Sequence, residues 1–544
     1  MTTTSEMSVP HDIIQPVALT SISDLVAAAL ALGAENVSGI SAAEKELANT
    51  ASNARIETKR LRDAIRAGQD PLGDAFCLIR SAEDRRPQGQ TYTPPPIVES
   101  MVGWTLGQKA PVRVVDPGVG SGRYLLAAGR LHKKADLIGA DLDPVAALMA
   151  RANLHAAGLS ERAHVELLDY RSLDLPPVEG PTLYVGNPPY VRHHGITPAW
   201  KQWLTATAAL HGYKASQLAG LHVHFFLATL EHAVRGDYGT FVTSSEWLDV
   251  NYGSLVRQML VDELGGHSIH VVAPEAMPFT DATTTAAITC FKVGEPVRSI
   301  KLQSAKSLTD LGTLTGGRKV ARERLIEAPR WTPLLRAAPK LPEGYVELGE
   351  LARVHRGTVT GANNVWVTHR GATKLPDTVL RSSVTKAKEL FAAGATLEDP
   401  SPLRVVIDLP VDLDELDAAD RRAVNAFLRQ PTVKAAKDGY VANNRRAWWS
   451  VGLRHAAPIL ATYMARRPPA FVRNLADARH INIAHGIYPR VALTDDALTQ
   501  LAEHLRVSVT LGQGRTYAGG LTKFEPREME RLPVPHPDLL TKAP

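Results

Sequence analysis

The chain of 544 residues contains only two cysteines, Cys77 and Cys290. Two thiols permit at most one disulfide, and they cannot build a metal site from several cysteines. Such low cysteine usage is typical of a reducing compartment, so we expect a cytoplasmic protein. Neither cysteine follows a proline or lies among basic residues, so we expect both to be packing residues rather than nucleophiles.

Long apolar stretches are also absent. The nearest candidate, residues 25–34, is short and rich in alanine, whereas a helix that crosses a membrane needs about 20 apolar residues. Residues 1–10 lack the basic start of an export signal. We therefore expect neither export nor a membrane partner.

Charge is unevenly distributed. The net charge is only +5, but residues 421–490 hold 13 lysines and arginines against two acids, a local excess of 11. The remainder of the chain is therefore acidic on balance. A concentrated positive segment with so few acids indicates a polyanionic partner.

A glycine-rich turn follows an apolar run in residues 112–115. It reads Asp116-Pro-Gly118-Val-Gly120-Ser-Gly122 and leads into a helical pattern. Glycines let a backbone approach a ligand closely, and the helix N-terminus behind them favours polar or anionic groups. The spacing differs from the dinucleotide fingerprint, and the lysine of a phosphate-binding loop is missing.

Polar residues also end the next predicted strands. Asp141 ends the second strand, where a nucleotide-type ligand presents its ribose hydroxyls, and Asp169-Tyr170 ends the third, where an acid suits an adenine amino group. Strand ends of a parallel sheet meet at one edge. We therefore expect one ligand crevice.

The fourth predicted strand ends in Gly186-Asn187-Pro188-Pro189-Tyr190. Two prolines stiffen the loop, the Asn187 side chain and the Pro188 carbonyl offer two acceptors, and Tyr190 offers a flat face. An amine conjugated to a ring is a poor nucleophile because its lone pair is delocalised. Two acceptors that take both of its hydrogens localise that lone pair, so the motif predicts a site that activates a planar amine.

These motifs, in this order, resemble the S-adenosylmethionine-dependent amino-methyltransferases. With Thr93-Pro94-Pro95 before the glycine turn, they resemble more closely the gamma-class, TaqI-like adenine-specific DNA methyltransferases of restriction-modification systems. The similarity runs from about residue 91 to 535. The first 85 residues have no counterpart that we can match. We expect Thr93 to cap the helix that follows it.

The resemblance implies an α/β fold: a Rossmann-like methyltransferase sheet with an N-terminal helical segment and a C-terminal α+β target-recognition domain. We expect the boundaries 1–85 for the helices, 86–296 for catalysis, 297–344 for an irregular linker and 345–544 for recognition. The same resemblance implies S-adenosylmethionine as the cofactor, no metal, and double-stranded DNA as the partner. Whether a separate restriction endonuclease or other defence proteins act with the chain stays open.

The residues that the resemblance assigns to the reaction fall into two groups. Catalysis is assigned to Asn187, Pro188, Pro189, Tyr190 and Tyr252, the two tyrosines stacking on an adenine that is swung out of the helix. Cofactor binding is assigned to Thr93, Asp116, Gly118, Gly120, Gly122, Asp141, Asp169, Tyr170 and Asn187.

Candidate DNA contacts lie in the C-terminal part, where arginine alternates with aromatic residues. Cations neutralise phosphates, while flat side chains and guanidinium groups can engage bases. These candidates are Arg356, Arg445, Arg446, Trp448, Trp449, Arg466, Arg467 and Arg473.

Other interpretations remain open at this point. The Asn-Pro-Pro-Tyr motif also serves enzymes that methylate a glutamine amide on proteins, and RNA adenine is a related substrate. Methylation of the cytosine amine is a further possibility, although the enzymes that catalyse it usually have serine in place of Asn187. A DNA-binding module with an inactive catalytic fold is a further alternative, against which the complete set of strand-end motifs argues.

Overall fold

The computed structural model describes residues 19–53, 55–273, 285–335, 341–517 and 521–540, with the backbone alone for 515–517. The chain divides into two compact units, Met1–Ala338 and Pro339–Pro544. No helix within the described ranges is long and apolar enough to span a membrane.

The first unit combines twelve described helices with nine strands. The helices are α1 (Ile22–Ala31), α2 (Ala42–Ala48), α3 (Thr58–Arg66), α4 (Pro71–Ile79), α5 (Ala82–Arg85), α6 (Pro95–Trp104), α7 (Arg123–Leu131), α8 (Pro144–Ala156), α9 (Pro198–Leu210), α10 (Leu221–His232), α11 (Ser254–Val261) and α12 (Arg322–Glu327). The strands are β1 (Arg113–Asp116), β2 (Asp136–Asp141), β3 (Ala163–Leu167), β4 (Thr182–Gly186), β5 (Tyr238–Ser244), β6 (Gly266–Val272), β7 (Ala286–Lys292), β8 (Ser299–Ala305) and β9 (Arg318–Ala321).

All nine strands form one sheet in the order β3-β2-β1-β4-β5-β7-β6-β8-β9. The first five strands run parallel to one another, and β7 enters antiparallel between β5 and β6. The order reverses at β1 and β4, and a ligand crevice is expected outside the carboxyl ends of the strands at such a point. The α/β fold class predicted from the sequence is confirmed.

Residues 297–344 differ from the irregular linker that we expected. β8 pairs with β6 in parallel and β9 pairs with β8 antiparallel, so this segment completes the sheet. Ile300, Leu302 and Val320 are buried in the alternating pattern of a strand with one covered face. The glycines at 316 and 317 end the connection between these two strands. Residues 336–340 of the expected linker lie outside the described part.

The N-terminal helices pack onto the sheet unit, although residues 1–18 and 54 of the expected segment 1–85 are not described. Residues of α1, α3 and α4 share one hydrophobic cluster with residues of α8. Arg151 of α8 is fully buried and donates to Glu44 of α2 at 2.7 Å, and to the carbonyl oxygens of Val37, Ser38 and Val165. The segment is therefore part of the first unit's core.

The second unit is α+β. Its helices are α13 (Leu348–Leu351), α14 (Asn363–Trp366), α15 (Ala387–Ala393), α16 (Ala418–Leu428), α17 (Pro431–Lys434), α18 (Tyr440–Asn443), α19 (Asp495–Ser508), α20 (Pro526–Met529) and α21 (Pro537–Leu540). Its strands are β10 (Tyr345–Glu347), β11 (Ala352–Arg356), β12 (Val367–Thr368), β13 (Leu380–Val384), β14 (Thr396–Leu397), β15 (Arg404–Ile407), β16 (Ile459–Thr462), β17 (Met464–Ala465), β18 (Phe471–Asn474), β19 (Arg479–His480), β20 (Ala484–Pro489), β21 (Arg515–Tyr517), β22 (Leu521–Lys523) and β23 (Pro533–Pro535).

These strands form one five-stranded sheet, β11-β20-β16-β18-β14, one four-stranded sheet, β12-β15-β13-β19, and two smaller sheets. The long helix α19 covers part of the five-stranded sheet: Leu501 and Leu505 belong to the same hydrophobic cluster as Phe471 and Ile487. The strands that carry the arginine-rich segment are thus held on a packed core.

Candidate active site

One cavity of about 420 Å³ opens at the carboxyl ends of β1, β2, β3 and β4. Its volume falls within the range of sites for small molecules and cofactors. Eight residues predicted from the sequence line it: Thr93, Gly118, Gly120, Asp141, Asp169, Tyr170, Asn187 and Pro189. The four strand-end motifs therefore do meet in one crevice.

The Asn187 side chain has a defined orientation. Its Nδ2 donates to the Thr91 carbonyl oxygen at 2.9 Å and to Thr93 Oγ1 at 3.1 Å. A backbone carbonyl can only accept, so the amide nitrogen must be on that side. Its Oδ1 is buried and has no hydrogen-bond partner among the described residues. The structure thus leaves a bare acceptor at the tip of β4.

Thr93 has a different local role from the one we expected. Pro94, without a side-chain hydrogen bond, is the residue at the cap of α6. The Thr93 hydroxyl instead accepts from Asn187 and, at 3.2 Å, from the Tyr124 hydroxyl. These two donors occupy both acceptor positions of the hydroxyl oxygen, which leaves none for the first amides of α6.

The segment before Thr93 runs directly along the Asn-Pro-Pro-Tyr loop. The Tyr190 amide donates to the Gly89 carbonyl at 3.2 Å. Gly89 has a φ of +67°, and a Cβ there would lie 2.5 Å from the Tyr190 nitrogen. A side chain at this position would push the two segments apart.

The glycine turn lies on the other side of the same loop. A Cβ built on Gly118 would lie 3.7 Å from the Asn187 carbonyl oxygen. Gly120 and Gly122 have positive φ, 53° and 89°, which glycine adopts without strain. Gly122 precedes α7 and does not itself line the cavity.

Two acids hold the turns around the cavity. Asp141 accepts from the Gly120 amide at 2.9 Å through Oδ2 and from the Asp143 amide at 2.9 Å through Oδ1. Burial raises the pKa of the Asp141 carboxyl to about 6, although these amides act in the opposite direction. Asp169 is held by Arg171, whose Nη2 donates to Asp169 Oδ2 at 2.6 Å.

Asp116 lies at the end of β1 behind the glycine turn and is fully buried. Its Oδ1 accepts from the Gly118 amide at 3.3 Å, while Oδ2 has no partner among the described residues. Burial holds the pKa of this carboxyl well above its usual range. A bare, buried carboxylate oxygen is favourable only when a cationic or donor group binds it.

The two tyrosines assigned to stacking do not line the cavity, nor does Pro188. Tyr190 is half-buried against the core. The Tyr252 hydroxyl donates to Glu246 at 3.2 Å, and its ring lies 6.3 Å from that of His222. Tyr170 lines the cavity, but its hydroxyl contacts Thr229 at 3.0 Å and its ring packs on Phe225.

Several residues at the site were not predicted from the sequence. The Tyr92 ring lies near Gly120, and its buried hydroxyl has no partner among the described residues. The Arg171 guanidinium lies 3.7 Å from the Trp200 ring centroid, at the end of the cavity where Asp169 is. The only sequence signal for Tyr92 was its place within the Thr-Pro segment.

In the second unit, the predicted DNA contacts separate by exposure. Arg356, Arg446, Arg466 and Arg467 are exposed, and we call them the basic patch. Arg356 lies 5.5 Å from the ring centroid of Tyr463, and Arg467 lies 3.4 Å from that of Phe391.

The other four candidates are used inside the unit. Arg473 is 6% exposed and donates to Asp495 at 2.6 Å and to the Pro458 carbonyl at 2.8 Å. Trp448 and Trp449 pack against the hydrophobic cluster around Trp366. Arg445 donates to the carbonyl oxygens of residues 359 and 360. These contacts give a structural role to four of the eight predicted DNA contacts.

Comparison with known proteins gives two family matches. Residues 335–543 match the C-terminal domain of Type II methyltransferase M.Eco57I. Residues 183–273 match the Eco57I restriction-modification methylase family.

Similar proteins extend the match over nearly the whole chain. Type II methyltransferase M.XamI of Xanthomonas campestris pv. amaranthicola is 50% identical over 516 residues, 94% of this chain and 97% of that protein. Type II methyltransferase M.AccI of Acinetobacter calcoaceticus is 23% identical over 474 residues, 83% of this chain and 86% of the other.

A third relative is similar over a short region. The tRNA1(Val) (adenine(37)-N6)-methyltransferase of Pasteurella multocida (strain Pm70) is 37% identical over 79 residues, 14% of this chain and 33% of that one. The 50% identity over almost the full length of M.XamI decides the family. The chain belongs to the Type II methyltransferases of restriction-modification systems.

Proposed function

We propose that the chain transfers a methyl group from S-adenosylmethionine to the N6 amine of an adenine in double-stranded DNA. The observation that carries this proposal is Asn187. Thr91 and Thr93 fix its amide nitrogen, and its oxygen is left buried and without a partner among the described residues. An acceptor held in this way suits a hydrogen of a conjugated amine.

The cavity fits S-adenosylmethionine by its chemistry. Asp141, which lines the cavity, suits two ribose hydroxyls. Asp116 lies behind the glycine turn and does not line the cavity, and its bare Oδ2 is the acceptor that we assign to the cofactor's ammonium group. Asp169, beside the Arg171–Trp200 stack, suits the adenine end. A volume of about 420 Å³ accommodates a ligand of this class. Gly118 lets the backbone approach the ligand next to Asn187.

When bound, S-adenosylmethionine supplies a methyl group on a positively charged sulfur, which departs as a neutral thioether. Asn187 Oδ1 and the Pro188 carbonyl accept hydrogen bonds from the two amine hydrogens and localise the lone pair on nitrogen. The nitrogen bonds the methyl carbon as the carbon–sulfur bond breaks, and the methylated nitrogen then releases one of its hydrogens as a proton to solvent. Tyr190 and Tyr252 stack on the extruded base and fix its approach. The role of this chain is therefore to position the amine and exclude water, and no covalent intermediate with the protein is required.

Two further observations support adenine in DNA. The relative that shares 79 residues is named for adenine N6 methylation, although its substrate is tRNA, and two relatives are Type II methyltransferases. The basic patch offers exposed arginines to phosphates. We propose the first unit, whose sheet includes β8 and β9, as the catalytic part of the chain and residues 345–544 as the DNA-recognition domain. Because an amine inside a duplex is unreachable, the target base must leave the stack.

The test is to incubate the purified protein with labelled S-adenosylmethionine and unmethylated genomic DNA, and then to identify the methylated nucleoside. We expect N6-methyladenine, and no product with Asn187→Ala, which should still bind the cofactor. Methylated cytosine would contradict the base assignment. Label on RNA or protein but not on DNA would contradict the substrate, and full activity of Asn187→Ala would contradict the site.

A further inference from the structure

One carboxylate of the N-terminal segment reaches the glycine turn. Asp70 caps α4, its Oδ1 accepting from the Gly73 amide at 3.0 Å. Its Oδ2 accepts from the Ser121 hydroxyl at 2.5 Å and from Arg123 Nε at 2.6 Å. Asn153 of α8 donates to Oδ1 at 3.0 Å. Four donors therefore converge on a carboxylate that is 8% exposed.

The helix α4 is packed directly on the turn at this point. A Cβ built on Gly73 would lie 2.0 Å from Asp70 Oδ2 and 2.7 Å from Ser121 Oγ. Any larger residue at position 73 would push α4 away from the turn. The absence of a side chain at Gly73 therefore allows α4 to pack closely against the glycine turn.

Arg123 extends the contact toward the reacting centre. Its Nη1 donates to the Thr93 carbonyl at 2.8 Å, and its Nη2 donates to Asp74 of α4 at 2.6 Å. The Thr93 hydroxyl is an acceptor for Asn187. A continuous series of hydrogen bonds thus leads from α4 through Arg123 and Thr93 to Asn187.

A helix cap alone does not need these additional partners. Asp24, at the third position of α1, also satisfies the start of a helix through its capping box with Ser21, and its partners Ser21, Thr20 and Ser52 all lie within the N-terminal segment. Asp70 differs because two of its four donors, Ser121 and Arg123, belong to the glycine turn and the first residue of α7. Its charge is directed at the part of the site that approaches the ligand.

We propose that Asp70 is a positioning residue for the cofactor: it fixes the glycine turn through Ser121 and Arg123, and the N-terminal helical segment is thereby part of the cofactor site. This inference rests on the proposed function, because the ligand of the turn is S-adenosylmethionine. An ionised carboxylate that accepts from a guanidinium and a hydroxyl holds them more firmly than a neutral amide would. Losing this carboxylate loosens the turn before the ligand binds, so part of the binding free energy must then be used to order the turn.

The test is the dissociation constant of S-adenosylmethionine, measured by equilibrium dialysis without DNA, for Asp70→Asn and Asp24→Asn. We expect Asp70→Asn to weaken binding roughly ten- to a hundredfold. Asp24→Asn makes the same chemical change at the start of α1, away from the glycine turn, and its affinity should remain within about twofold of wild type. At saturating cofactor, turnover of Asp70→Asn should return to within a few-fold of wild type, since no reacting group is altered.

Two further measurements keep the outcomes separate. If Asp70→Asn fails to fold, Ser121→Ala is measured instead, because it removes one donor and leaves the charge of Asp70. We expect Ser121→Ala to weaken cofactor binding several-fold. Its combination with Asp70→Glu should show non-additive losses of affinity. Wild-type affinity in Asp70→Asn or in Ser121→Ala overturns the positioning role. Failure of the wild-type protein to bind the cofactor would instead contradict the proposed function.

Discussion

At the scale of single residues, the orientation of Asn187 depends on one threonine. Thr93 Oγ1 and the Thr91 carbonyl receive the two amide hydrogens, which leaves Oδ1 directed away from them. Replacing Thr93 with valine keeps the shape of the side chain but removes the acceptor. We expect Thr93→Val to lower turnover roughly ten- to a hundredfold, because a misaligned acceptor no longer meets the amine.

Thr93→Ser is the matched control, since it keeps the hydroxyl and loses one methyl group. It should retain most of the wild-type turnover, while both variants should bind S-adenosylmethionine with similar affinity. Equal turnover in Thr93→Val and Thr93→Ser would show that the hydroxyl does not orient Asn187.

The acid at the tip of β2 gives a pH dependence. Burial raises the pKa of Asp141 from 3.8 to about 6 in the folded, cofactor-free protein. Hydrogen bonds from ribose hydroxyls favour the ionised form and lower that pKa on binding, so cofactor affinity should be constant well above pH 6 and decrease as the pH falls through 6. The loss should approach tenfold per pH unit at the most.

The measurement is the dissociation constant of S-adenosylmethionine between pH 5 and 8. Asp141→Asn has no carboxyl to titrate at this position, so it should bind more weakly at pH 7 and lack the change near pH 6. If the variant kept the wild-type pH profile, the dependence would belong to another acid. Asp116 is the first candidate, because it is buried at the end of the neighbouring strand β1 and its raised pKa depends in part on the charge of Asp141.

The sequence predicted those parts of the site that are local in the chain. Asp141 is the last residue of β2, Asn187 directly follows β4, and the glycines lie in the turn after β1, so their places along the chain reveal them. Asp70 was not predicted, because it belongs to no motif and its partner Ser121, in the glycine turn, is 51 residues away. Hydrogen bonds between distant segments depend on packing, and one sequence does not display packing.

At the scale of elements, a buried ion pair attaches α2 to α8. Glu44 and Arg151 are both fully buried. Removing one partner of such a pair leaves an uncompensated charge, which typically costs about 3–5 kcal/mol. We expect Glu44→Ala to lower the free energy of unfolding of the first unit by about that amount, measured by urea denaturation of the full chain.

An exposed ion pair in the same segment provides the comparison. Glu57 and Arg60 are 3.7 Å apart, with side chains 62% and 38% exposed. Glu57→Ala should change the free energy of unfolding by less than about 1 kcal/mol. If both variants were equally stable, the N-terminal helices would not be held to α8 by Arg151.

The element boundaries show where sequence patterns fail. Ser21 and Ser41, each followed by an acid three residues later, mark the starts of α1 and α2, which lie within the helical segment predicted for residues 1–85. β8 and β9 were not predicted, because a Thr/Gly-rich connection separates them and their partner β6 lies earlier in the chain. Strand pairing across such a distance has no local signature.

At the scale of the whole molecule, charge and chemistry are assigned to different parts of the chain. The motifs for cofactor and amine lie in the first unit, and the excess of 11 positive charges lies within residues 421–490 of the second. Part of that excess is structural, since Arg473 and Arg445 serve the unit's own backbone and acids. A count of charges along the chain therefore overestimates the surface available to a polyanion.

The exposed basic patch should account for the salt dependence of DNA binding. Each phosphate contact that is lost removes about 0.9 from the slope of log K against log salt concentration. We expect the double variant Arg466→Ala, Arg467→Ala to weaken binding to all sequences alike and to reduce the slope by up to about 2.

Arg506→Ala is the control, because Arg506 is exposed but pairs with Glu503 in α19, outside the basic segment. This variant should leave the slope unchanged. The measurement is fluorescence anisotropy of a labelled duplex over a series of salt concentrations. An unchanged slope in the double variant would mean that the phosphates are bound elsewhere, whereas a loss confined to one DNA sequence would mean that these arginines contact bases rather than the backbone.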